Sequence, residues 1–183
     1  HVVPILAPKR VLGPAALMPV SLQVQVRSVR FDRRRLLRLA RAMLKLIAEP
    51  SADMSVSFVG DRRMQRLNHR FRHKDRSTDV LAFAFREADA PHRFNLAGAH
   101  LGDVVIALPT AQRQAKAAGH PLEEELVVLL IHGVLHLCGY DHERSRDEAL
   151  RMRRKERLMR RRLGPIGRFV RPRKRSGPRR REA

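Results

Sequence analysis

Tryptophan is absent from this chain, tyrosine and cysteine occur once each, and aromatic residues make up 4% of it. A core built on stacked aromatics is therefore excluded, and Leu, Val, Ile, Ala and Met must fill it. With Cys138 as the single cysteine, no disulfide can form within the chain, which points to a reducing, intracellular setting. Apolar runs of about 18 or more residues are missing, so no transmembrane helix is expected. Acidic residues are scarce: 18 against 39 Lys and Arg, a formal net charge of +21. That imbalance predicts a polyanionic partner, nucleic acid first and an anionic membrane surface second.

The opening seventeen residues are apolar but broken by Pro4, Pro8, Gly13 and Pro14, without the order of a signal peptide. Met18 is a plausible native start. Residues 1–17 then read as an upstream extension, with the remnant of a processed organellar leader as the alternative. We expect a flexible extension over 1–19, one domain over 20–163, and a disordered basic Pro/Gly tail over 164–183.

Histidine is plentiful, and three of the nine gather in Ile131–Glu143, IHGVLHLCGYDHE. His132 and His136 are four residues apart and share one face of a helix. Gly139 ends that helix, and the turn at Tyr140–Asp141 can bring His142 back to them. Three converging imidazoles with a fourth position open are what a catalytic zinc requires. Cys138 lies about 200° round the helix from His136 and should point away from the metal. Asp141 is expected to support a ligand rather than be one.

Elsewhere, alternation at Leu22, Val24 and Val26 predicts a strand. Asp32 caps a helix carrying Leu36, Leu37, Ala40, Leu44 and Ile47, which ends before Pro50. MSVSFV is a second strand, and a short helix follows with Met64, Leu67 and Phe71 inward. Thr78–Phe85 reads as a buried central strand, Glu87–Ala99 as a loop, and Leu101–Leu108 as a fourth strand. Asp103 in that strand marks either a neighbour of the site or a solvent-facing strand end. A helix over Thr110–Ala118 closes at Gly119. The next helix opens at Pro121 and is apolar almost all round, hence buried. Ser145 and Glu148 form a capping box for a last helix with Ala149, Met152, Leu158 and Met159 as its apolar stripe. The expected fold is a single α/β (α+β-like) domain, a small mixed four-stranded sheet with about five helices and a metal site at the end of the buried helix. The Phe83 and Asp103 strands should pair antiparallel, because the loop between them is too short for a crossover helix.

The metalloprotease pattern H-E-x-x-H needs a glutamate where this chain has Gly133, which disfavours peptide hydrolysis. A zinc-activated water can instead attack an ester, and so basic a surface most readily holds a phosphodiester.

HGVLHLCGYDH resembles the H-G-x-L-H-L-x-G-Y-D-H signature of the YbeY family of metal-dependent endoribonucleases. LNHRFRHKDRSTDVLAFAF is similar to that family's L-N-x-x-Y-R-x-K-D-x-x-T-D-V-L-S-F-P-F segment, and LGDVVIAL to its G-D-[IV] strand. The resemblance runs in order from about Leu22 to Leu163. It departs at Phe71, Ala82 and Ala84, where the family pattern has Tyr, Ser and Pro. It implies a single-strand-specific endoribonuclease that matures ribosomal RNA, notably at the 3′ end of small-subunit rRNA, and serves ribosome quality control. It also implies one zinc ion per chain on His132, His136 and His142, and a functional Arg72 in the cleft beside the metal. Arg72 and His132 are then the catalytic candidates, with Arg72 also touching RNA. Single-stranded ribosomal RNA and the small ribosomal subunit are the implied partners, with neither DNA nor membrane, in the cytoplasm. A mitochondrial or plastid location applies if residues 1–17 are a leader remnant. The alternative is a non-catalytic assembly factor that binds rRNA and uses zinc structurally.

Overall fold

The computed structural model describes residues 20–47, 52–85 and 100–173. The expected N-terminal extension, the loop over 87–99 and the far end of the basic tail lie outside the described residues.

The chain runs β1 (Val20–Val24), β2 (Val29–Phe31), α1 (Arg33–Ile47), β3 (Asp53–Val59), α2 (Asp61–Arg72), β4 (Val80–Ala84), β5 (His100–Ala107), α3 (Leu108–Ala118), α4 (Leu122–Leu137), α5 (Arg146–Leu163) and β6 (Val170–Pro172). The main sheet has the order β1-β3-β5-β4. β1, β3 and β5 are parallel, and β4 runs antiparallel to β5 with Phe83 opposite Asp103. A four-stranded mixed sheet with five helices in one α/β domain is the architecture expected.

Local chemistry sets the helix ends. Asp32 Oδ1 accepts the Arg35 amide at 3.0 Å, and Ser145 Oγ accepts the Glu148 amide at 3.1 Å. α4 begins with Glu123, Glu124 and Glu125 in its first turn, where the helix dipole favours negative charge. Its side chains Leu126, Leu130, Ile131, Val134, Leu135 and Leu137 are all buried. Each such side chain contributes about 1.5–3 kcal/mol to stability. α4 is thus held between α1, α3, α5 and strands β4 and β5.

The two faces of the sheet are packed by different helices. α1 and α4 cover one, in a core with Leu22, Met54, Val56, Phe58, Val104 and Ile106. α2 covers part of the other, where Met64 meets Val59, Leu81, Phe83 and Val105, with Leu67 and Phe71 beside them.

Four expectations need correction. The Thr78–Phe85 segment is not a central strand: β4 lies at an edge of the sheet, and it is buried because α4 packs on one of its faces and Leu67 and Phe71 of α2 on the other. Residues 164–173 are not a disordered tail: β6 pairs with β2, Phe169 is buried, and Glu123 Oε1 accepts the Val170 amide at 3.2 Å. A few apolar side chains within a basic segment suffice, because β2 and α4 supply the surface they bury against. β2 was itself unforeseen, since three residues show no readable period. On α5, Leu158 is exposed and the inward stripe is Met152, Glu156 and Met159, spaced four and three apart.

Candidate metal centre

α4 places His132 and His136 one turn apart, and its last turn ends in a glycine-closed loop. The Gly139 amide donates to His136 O at 3.0 Å and the Tyr140 amide to Leu135 O at 3.1 Å. This is a Schellman arrangement, and it needs the positive φ of 89° that Gly139 adopts. The chain then reverses toward the helix face it has just left. Asp141, buried, accepts the Glu143 amide at 3.0 Å and so braces the turn from inside. His142 is thereby returned to the other two histidines, with ring centroids 5.1 Å from His132 and 5.2 Å from His136.

One nitrogen from each of the three rings lies within 4.8 Å of the others. His132 Nε2 and His136 Nε2 are 3.1 Å apart. Two nitrogens bound to a tetrahedral zinc at about 2.0–2.1 Å would stand about 3.3 Å apart, so this pair fits two corners of such a site. The other nitrogen of His132 faces Glu156: Nδ1 to Oε1 is 2.9 Å. A carboxylate on Nδ1 makes that nitrogen the protonated one and leaves the Nε2 lone pair for a cation. His136 is held down to about 3, by burial first and then by the neighbouring His132, and His142 is lowered for the same two reasons in the same order. Both rings are therefore neutral at neutral pH, the state a metal requires. The donor set and its electrostatics fit a zinc ion.

The three histidines open onto a cleft of about 180 Å³. Arg72, from the last turn of α2, and Thr78 and Asp79, just before β4, line it as well. Arg72 is 14% exposed, its Nε is buried without a hydrogen-bond partner, and its Nη2 lies 3.8 Å from Glu143 Oε1. A cation so enclosed and so loosely paired is placed to take an anionic ligand. Asp79 is occupied structurally: it accepts from Val80 N at 2.8 Å, Gln114 Nε2 at 2.9 Å and Thr78 Oγ1 at 3.1 Å, fastening β4 to α3. Gly133 forms part of the cleft wall, and a Cβ there would sit 2.6 Å from Val104 Cγ1. The position that would carry a protease's glutamate is thus closed by contact between α4 and β5.

The structure brings Arg72, His132, His136 and His142 around one cleft. Cys138 is half-buried against the core and outside the ligand group, as its direction on the helix predicted. Asp103 lies elsewhere, in a groove on the opposite face of the sheet. Sequence reasoning missed Glu156 and Glu143. For Glu156 a signal existed: it falls between Met152 and Met159 on the inward face of α5, where an unpaired carboxylate would be costly.

A family model described as Endoribonuclease YbeY matches residues 21–164. A protein named Endoribonuclease YbeY from Anaeromyxobacter dehalogenans is 44% identical over 144 residues, covering 79% of this chain and 71% of that protein. One of the same name from Geobacter metallireducens is 43% identical over 124 residues, covering 67% of this chain and 81% of its own length. In fold, the chain is similar to a Thermotoga maritima protein solved in solution, with a TM-score of 0.52 and 24% identity, over 76% of this chain and 85% of that one.

Proposed function

This chain belongs to the YbeY endoribonuclease family, and from that premise we propose that it cleaves single-stranded ribosomal RNA with one zinc ion held by His132, His136 and His142. The observation that carries the proposal is the convergence of three imidazoles on one cleft that also takes in the enclosed guanidinium of Arg72. Among the described residues the ligand group holds these three histidines and no fourth side chain, which favours an open, catalytic position over a closed structural one.

When bound, zinc supplies the charge that acidifies a water toward a pKa of about 7 and polarises a phosphate oxygen. The chain's own residues do the rest. Glu156 orients His132 through Nδ1. Glu143 holds Arg72 in place until a phosphate competes for it, and Arg72 then donates to a non-bridging oxygen and stabilises its growing negative charge. Gly133 keeps the wall beside the ligands free of side-chain atoms. The net charge of +21 supports a polyanion as substrate. Maturation of the 3′ end of small-subunit rRNA, in the cytoplasm where ribosomes assemble, is the role we assign within the family. Among the described residues, no helix is long and apolar enough to cross a membrane.

The test is bound metal and cleavage of a single-stranded RNA by the wild type, His136→Ala and Arg72→Ala. His136→Ala should lose metal and cleavage together, and Arg72→Ala should keep metal and lose cleavage. Robust cleavage by metal-free His136→Ala refutes the mechanism, and RNA binding without cleavage by any form favours an assembly factor. The product end separates attack by water from attack by the RNA's 2′-OH, since only the latter leaves a 2′,3′-cyclic phosphate.

A further inference from the structure

The face of the sheet away from α4 carries a second concavity, a groove of about 290 Å³. β1, β3 and β5 give it Gln23, Ser55, Ser57, Val59, Asp103 and Val105, with Gln25 just past the end of β1. Phe83 and Phe85 of the β4 edge and Arg63, Leu67 and Phe71 of α2 complete it. The chain has 39 Lys and Arg, yet none of the strand positions lining this groove is basic. Two amides, two hydroxyls and one carboxylate stand there beside Val59 and Val105, and these polar groups are donors and acceptors suited to the edges of nucleobases. Phe85 is 40% exposed at the rim, an aromatic surface on which a base can stack, and it meets the His100 ring in a T-shaped contact with centroids 4.9 Å apart.

The groove and the metal cleft share a wall. Phe71 and Arg72 are consecutive on α2, and the first lines the groove while the second lines the cleft. Ala82 and Phe83 divide in the same way on β4. α2, with five arginines against one acidic residue, flanks the groove. Arg63 lines it, Arg66 and Arg70 follow on the same helix, and the Arg70 guanidinium lies 5.3 Å above the Phe71 ring.

We propose that this groove is a nucleobase subsite, taking one or two unpaired bases of the RNA strand whose phosphate is cut in the metal cleft; this rests on the endoribonuclease assignment above. The backbone follows the arginines of α2. The bases turn inward over the sheet, where Asp103 would repel a phosphate but accept a base N–H. A paired base has its edge occupied and its faces stacked, so the subsite favours single strands.

The test compares a single strand of about twelve nucleotides, long enough to span both sites, with one of about three that fills the cleft alone. Cleavage kinetics are measured for the wild type, Phe85→Ala and Gln25→Ala, and binding by anisotropy of the labelled long strand with metal chelated. Both side chains are exposed, and thermal midpoints check that the variants fold. Phe85→Ala should raise the KM of the long strand about tenfold, with a smaller rise for Gln25→Ala, while kcat and short-strand cleavage stay at the wild-type level. Crosslinks from 4-thiouridine in the long strand should map to β1 and β3. Cleavage by the wild type with no change in either variant overturns the subsite and leaves the nuclease assignment standing. Tight binding that depends on Phe85, with no cleavage by any form, does the reverse. Wild-type protein that neither binds nor cuts the long strand overturns both.

Discussion

The two faces of the central sheet put opposite demands on their side chains. Beneath α4 the packing is close enough that Gly133 admits no Cβ, and two of the three candidate ligands ride on a helix with almost no freedom to move. On the α2 face the same strands present serines, glutamines and an aspartate to an open groove. The first face suits chemistry that needs nitrogens fixed to within tenths of an ångström. The second suits contacts that tolerate different bases. A sheet only one residue thick supports both, because successive side chains on a strand point to opposite sides.

That contrast can be broken most severely at His136. His136→Ala should reduce metal content to background after dialysis and lower cleavage by at least about a hundredfold, more than loss of a supporting residue would.

The next effect is one of pH and belongs to the metal-free protein. Folded His136 titrates at about 3 against about 6.5 when unfolded. Between those values the unfolded chain carries the proton and the folded chain does not, so stability falls as pH is lowered from about 6.5 toward 3, with a slope approaching about 1.4 kcal/mol per unit. Urea midpoints across this range would show it, and His136→Asn should flatten the profile.

Glu156→Gln is milder. It retains the shape but loses the charge that orients His132, and zinc affinity should fall about 10- to 100-fold in competition with a chelator. Unchanged affinity would mean that α4 alone orients the ring.

Smallest is a pair of glycine substitutions, one for each face. Gly133→Ala drives a methyl into Val104 and should cost about 1–3 kcal/mol, partly relieved by Val104→Ala. Gly60→Ala, at the start of α2, meets nothing within 4 Å and should cost less than about 1 kcal/mol by denaturant melts. Equal costs would remove the contrast in packing between the faces.

Much of the site was legible because its key parts are local. The i, i+4 spacing of His132 and His136, the glycine stop and the return of His142 span eleven residues, and helix geometry with turn chemistry places all three. The caps at Asp32 and Ser145 and the buried character of α4 were readable for the same reason. Asp103 shows the limit. Its strand and its antiparallel partner were foreseen, but the face it occupies depends on which helix covers which side. Arg72 stood out only through resemblance to a family, since nothing local separates it from its arginine neighbours.

By itself the sequence determined a buried helix carrying two histidines, a stop, and a third histidine turned back, because 3.6-residue periodicity and the conformational freedom of glycine act within a few residues. The tertiary structure alone decided the rest. α5 brings Glu156 to His132 from 24 positions away, α2 delivers Arg72 to the cleft, and β6 closes on β2 from the far end of the chain. Such contacts depend on strand order and helix packing, which minimise exposed apolar surface over the whole domain, and no short window of residues encodes them.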